Sequence, residues 1–169
     1  MTENHRLDLP QSMMTGMTVA YHAQSAPERM AVITNHGSRT FAELNARANQ
    51  LARIFRKAGL KADDGVAMLL VNRPEFLEVY YACMRAGLRI TPINWHLTGD
   101  NASYVVGNSE AKAFIADVRC EQAAIDALND NKENLNIVLA AGGSIDGFGD
   151  YEAIVTAEDD SNIDNPEIG

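Results

Sequence analysis

The chain has 169 residues, 46% hydrophobic and 22% charged, a balance that supports one ordinary domain with its own core and excludes disorder throughout. The net charge of −9 is unevenly spread: the first 140 residues are nearly balanced, whereas the last 29 hold eight acids and no base. An acidic chain without a basic patch repels phosphate backbones, which argues against nucleic acid as a partner, and no stretch approaches the roughly 20 apolar residues of a transmembrane segment.

The opening "MTENHRLDLPQSMM" lacks the basic head and apolar core of a signal peptide, so a cytoplasmic location is expected. Residues 1–16 read as an N-terminal extension, and residues 17–25 as a short helix. "RMAVITNHGSRTF" reads as two strands around Asn35-His36-Gly37-Ser38, a β-hairpin whose Gly37 supplies the positive φ of a tight turn. Thr40 and Glu43 then have the spacing of a capping box. They open a helix whose apolar positions are Phe41, Leu44, Ala48, Leu51, Phe55 and Ala58. Arg47, Arg53, Arg56 and Lys57 lie off that face, and Gly59-Leu60 has the pattern of a left-handed helix stop.

The run "VAMLLV" at 66–71 has the length and composition of a strand buried on both faces, as in a parallel sheet covered by helices. Pro74 suits the first turn of a second helix, with Phe76, Val79, Tyr80, Cys83 and Met84 as its apolar stripe and Gly87-Leu88 as its stop. "RITPIN" follows as a strand whose Pro92 lacks a ladder donor, which places it at a sheet edge or ends its pairing there. A helix over about 98–107, a strand at 111–117, a helix over about 120–130 and a strand at 136–141 continue the alternation. Strand and helix alternating through short links predict an α/β fold, a parallel sheet with βαβ crossovers preceded by the short β-hairpin and helix. That segment spans residues 17–141. Residues 142–169 form an acidic, Gly-rich tail, expected to be a poorly ordered linker with one short amphipathic piece around Tyr151 to Val155.

Motifs with defined chemistry are scarce. The chain has no GxGxxG after its first strand, no GxxxxGK[ST], no HExxH and no GxSxG. "GGSIDGFG" follows the last strand, carries no lysine and includes Asp146, so a flexible loop explains it better than a phosphate cradle. The four histidines, His5, His22, His36 and His96, are dispersed, and no metal site is expected. Cys83 and Cys120 have neither metal-ligand nor disulfide spacing; Cys83 falls on an apolar helix face as a small hydrophobe. Three residues stand at strand ends, where open α/β sheets bind ligands. Trp95 and His96 are candidates for lining a pocket, with packing of the indole as the plainer alternative. Arg73 in "VNRPEF" is a candidate for meeting an anion, with a surface or helix-capping role as its alternative.

The order of these features resembles the N-terminal portion of AMP-forming acyl-CoA synthetases, within the adenylate-forming superfamily. The matching stretches run from Pro27 to about Asp117: Ala31-Val32, "TFAELNARANQLA", "NRPEF", "ACMRAGLRITPIN", Leu97-Thr98 and "AKAFIAD". Two positions depart from the pattern: Asp64-Gly65 inverts the family's Gly-Asp, and Asn101-Ala102 replaces its Glu-Leu. The resemblance implies the large N-terminal domain of an enzyme that uses ATP, Mg2+ and CoA to convert a carboxylic or fatty acid to an acyl-CoA. It also implies that the family's Ser/Thr/Gly-rich phosphate loop, aromatic-acidic motif, ribose-binding Asp and C-terminal lysine all lie downstream of this chain. The expectation is therefore an N-terminal fragment that is catalytically silent and binds none of these cofactors tightly. Self-association is expected through surfaces meant for missing segments. The alternative is a stand-alone interaction or regulatory module that kept the scaffold and lost the enzyme.

Overall fold

The computed structural model describes residues 7–167; His5 lies outside them. Two short helices, α1 (Leu9–Met14) and α2 (Thr18–Ser25), lead into an antiparallel hairpin of β1 (Met30–Thr34) and β2 (Gly37–Thr40). The Thr34 hydroxyl fixes the turn by donating to the Gly37 carbonyl at 2.9 Å and accepting from the His36 amide at 3.0 Å. Gly37 takes φ +127°, a backbone region that favours glycine.

Helix α3 (Phe41–Lys57) starts at the expected capping box: the Glu43 amide donates to Thr40 Oγ1 at 3.2 Å and the Thr40 amide to Glu43 Oε2 at 2.8 Å. Its stop and that of α4 (Pro74–Ala86) follow one plan. Gly59 and Gly87 take positive φ, and the next amides, of Leu60 and Leu88, donate back to the carbonyls of Phe55 and Cys83. The buried stripe of α4 differs from the expected one: Val79, Ala82, Cys83 and Ala86 face the core, while Tyr80 is exposed. Smaller residues let α4 approach α3 and the sheet closely, which a stripe of large side chains would prevent.

The remaining elements are β3 (Gly65–Leu69), β4 (Arg89–Pro92), α5 (Gly99–Asn108), β5 (Ala111–Asp117), a 3-10 turn (Val118–Cys120), α6 (Glu121–Asn131), β6 (Ile137–Ala141), β7 (Gly149–Asp150) and α7 (Tyr151–Thr156). Five strands form a parallel sheet in the order β4-β3-β5-β6-β7, with β4 at the edge. The chain steps from β3 to β4, then returns past β3 to β5 and continues outward. Because βαβ crossovers share one hand, this reversal puts α4 on one face and α5 with α6 on the other.

Period-two alternation feeds both faces. Val66 and Met68 join Leu51, Phe55, Val79, Ile115 and Tyr151 under α3, α4 and α7, whereas Ala67 and Leu69 join Phe114, Ala102, Val106 and Ala124 under α5 and α6. Every residue of β3 is buried, and each large apolar side chain so covered contributes about 1.5–3 kcal/mol over an exposed one. Among the described residues no helix is long and apolar enough to cross a membrane.

The tail is not a loose linker. Tyr151, Val155 and Ile163 are buried in the α3 side of the core, and residues 158–165 lie along α3 as a strap. Arg53 Nη1 donates to the carbonyls of Asp159 and Ser161, at 3.1 and 2.7 Å, and Arg56 donates to those of Asp164 and Asn165, at 2.9 and 2.8 Å. Asn49 and Gln50 add bonds to the carbonyls of Asp160 and Glu158. The composition of the tail shows acids, but its order comes from backbone carbonyls matched to a row of donors. The loop "GGSIDGFG" is also packed rather than free: Ile145 is buried, and Phe148 meets Phe114 edge-on with ring centres 5.7 Å apart.

Candidate functional site

Open α/β sheets bind ligands beyond the carboxyl ends of their strands, where the strand order reverses. Here the reversal lies between β3 and β5. That position is filled from within. Arg73, just past β3, is buried; its Nε and Nη2 donate to Glu75 Oε2 and Oε1 at 2.7 and 3.0 Å, and its Nη1 donates to Asp117 Oδ2 at 2.8 Å. Asp117, at the end of β5, is 0% exposed. Gly142, after β6, takes φ +82°, and a Cβ there would run into the Arg73 guanidinium; only glycine leaves room for it.

Burial works against the charge of Arg73, but its hydrogen bonds to Glu75 and Asp117 outweigh it and raise the guanidinium's pKa. Burial pushes Glu75 upward too, and the bond from Arg73 reverses the balance, holding its carboxyl below the ordinary range. The anions that meet Arg73 in this structure are thus the chain's own carboxylates.

Trp95 and His96 stand after β4, on the same end of the sheet. Asn94 Oδ1 accepts from the His96 amide at 3.1 Å, and the indole and imidazole stack with centres 3.6 Å apart, tilted by 32°. Trp95 is 39% exposed and walls an open groove of about 360 Å³ with Thr98, Gly99, Arg119, Cys120 and Gln122. His96 stacks on Trp95 but does not line the groove.

Two helices begin at this groove. Neither the Thr98 nor the Cys120 side chain caps its helix, and Thr98 Oγ1 instead accepts from Asn101 Nδ2 at 3.0 Å. The start of α5 at Gly99 lies directly against the Asp126 carboxylate, and Asp100 and Glu121 sit in the first turns of α5 and α6, so the positive charge that lines the groove is the guanidinium of Arg119. Arg119 Nη1 lies 3.1 Å from His36 Nε2, and the Cys120 thiol donates to the Trp95 carbonyl at 3.8 Å. Burial, then the nearby Asp117, raises the Cys120 thiol's pKa, which keeps it protonated and poorly nucleophilic.

The arrangement suits a flat ring against the indole with an anionic group toward Arg119. Among the described residues no group of three or more His, Cys, Asp or Glu is placed to hold a metal. A larger cleft of about 530 Å³, with Asp63, Asp64, Arg89, Glu110 and Lys112, opens at the amino ends of the strands, the end opposite to ligand sites in such sheets. Arg119 and Asp117 were not legible as site residues. An Asp closing the apolar run "AKAFIAD" and a Gly directly after the last such run are the signals that could have found Asp117 and Gly142.

The model of the AMP-binding enzyme family matches residues 19–167. The chain is 31% identical over 104 residues to a fatty acid-(acyl-carrier-protein) ligase of Streptomyces coeruleorubidus, covering 62% of this chain and 20% of that protein. It is 37% identical over 95 residues to a 2-succinylbenzoate-CoA ligase of Bacillus licheniformis, covering 56% of this chain and 20% of that one. A fatty acyl CoA synthetase of Mycobacterium tuberculosis shares the fold with a TM-score of 0.75 at 22% identity, over 94% of this chain and 30% of that one. A benzoate CoA ligase of Burkholderia xenovorans does so with a TM-score of 0.74 at 20% identity, over 87% of this chain and 29% of that one. The chain spans about a fifth of the length of the curated relatives it matches. It belongs to the AMP-binding enzyme family of adenylate-forming ligases, and its fold is that of their N-terminal α/β portion.

Proposed function

We propose that this chain is the scaffold portion of an ATP-dependent acyl-CoA synthetase, in which a carboxylic or fatty acid attacks ATP to give an acyl-adenylate and pyrophosphate. The thiol of CoA then displaces AMP. Neutralising a transferring phosphoryl group requires cations and donors aimed at it. In this chain the buried cation Arg73 is already matched to Glu75 and Asp117, so the 169 residues are silent by themselves.

The observation that carries the reading is the groove at the carboxyl end of the sheet, which an exposed indole and the guanidinium of Arg119 line together. Its chemistry fits an adenine ring with attached phosphate, a combination common to ATP and CoA. Trp95 is the chain's single tryptophan, so its fluorescence reports the groove directly. Titration with ATP and with CoA is expected to quench Trp95 weakly, in the millimolar range, with adenosine weaker still; the stronger of the two nucleotides identifies the ligand. Equal quenching by adenosine and by both nucleotides removes the anionic part of the reading. No quenching by any of them removes the groove.

A further inference from the structure

One carboxylate joins Arg73 to the Trp95 groove. Asp117 divides its two oxygens: Oδ2 accepts from Arg73 Nη1 at 2.8 Å, and Oδ1 accepts from the Arg119 amide at 2.8 Å. The second bond caps the 3-10 turn Val118–Cys120. That turn carries the two groove residues Arg119 and Cys120, and the Cys120 thiol in turn meets the Trp95 carbonyl. A carboxylate turned by a quarter-turn about its Cβ–Cγ bond would lose both bonds at once. We infer that Arg73, through Asp117, is a positioning residue for the groove: it fixes the carboxylate that sets Arg119 and Cys120 against Trp95. This inference rests on the reading of the groove as a ligand site.

Three observations make the pair a positioning device rather than a plain ion pair. The guanidinium has no freedom to rotate, because Glu75 grips it with both oxygens on one side and Gly142 presses close on the other. Asp117 has none either: an ordinary residue capping a turn is solvated, whereas this one is 0% exposed. Finally, the geometry is planar and bidentate toward Glu75, which an ammonium cannot reproduce. Arg73 therefore gives a fixed reference plane from which the first turn of α6 is set.

Arg73→Lys keeps the charge and loses the fork. Hydrogen exchange at the Arg119 amide is expected to rise about tenfold relative to that of Ile115 in β5. Trp95 emission should shift, and quenching by ATP or CoA should weaken by at least about threefold. Asp117→Asn is the second variant: its carbonyl oxygen can still accept from the Arg119 amide, but its NH2 would face Arg73 Nη1, so the same shifts are expected at nearly constant volume. A folded variant in which Arg119 exchange and Trp95 emission both stay at their wild-type values overturns the inference, even where its melting temperature falls. In the wild-type chain, an Arg119 amide that exchanges at its intrinsic rate overturns it as well. If both variants shift these signals while neither ATP nor CoA quenches the wild-type chain, the positioning role stands and the ligand reading falls.

Discussion

Glu78 carries more of the structure than its place in the middle of a helix announces. Its buried carboxylate accepts from Arg39 Nε at 2.8 Å, Arg47 Nε at 3.0 Å and the Tyr151 hydroxyl at 2.8 Å, tying β2, α3, α4 and α7 together. Glu78→Ala would leave two guanidiniums and a buried hydroxyl without that acceptor, and is expected to cost about 3–5 kcal/mol in urea denaturation; a loss under about 1 kcal/mol would contradict this role. Glu75 gives a pH dependence with a definite sign. Its carboxyl is held below the ordinary value when folded, despite burial, by Arg73. It therefore contributes stability that is present above the unfolded-state value, near 4.3, and lost as pH falls through the lower folded-state value. Wild-type stability should drop more steeply than that of Glu75→Gln below about pH 4.5, as read by denaturation at stepped pH; parallel curves would contradict it. Such residues were hard to read in the sequence. Arg73 stood out by its position after an apolar run, but its partner Asp117 is 44 residues away, and nothing local joins the two.

The ends of elements were the most legible part of the chain, because they depend on neighbours in sequence. Thr40 with Glu43, Pro74, Gly59-Leu60 and Gly87-Leu88 all act where their chemistry predicts. The strap over α3 was not legible, since Arg53 and Arg56 bind its backbone carbonyls and no side-chain pattern in residues 158–165 records that. Charged side chains on a helix face look solvated until a second segment is known to lie on them. The double substitution Arg53→Ala with Arg56→Ala is expected to release the strap, with amide exchange over residues 158–165 rising at least about tenfold while β3 stays protected. Unchanged exchange there would mean that the buried Ile163 holds the strap by itself.

For the whole molecule, the strand alternation was enough to predict a parallel sheet, and the proline in "RITPIN" narrowed its strand to an edge position or an end of pairing, of which the sheet takes the edge. The strand order and the plugged switch point were beyond reach, because both arise from contacts between distant segments. The open edge of β4 and exposed apolar side chains such as Ile33, at 75%, and Tyr104, at 69%, support the proposal that the chain self-associates. Sizing with light scattering should show dimers or larger species that dissociate on dilution; a sharp monomer with no binding of an apolar dye would count against it. On the function proposed here, these residues form a wall and a frame, and the chemistry of acyl activation belongs to groups they do not contain. ATP-pyrophosphate exchange on the 169-residue chain at high concentration, with a panel of fatty and aromatic acids, tests this most directly. Exchange no greater than in the absence of protein is expected for every acid, whereas reproducible turnover with any one of them would overturn the proposed function.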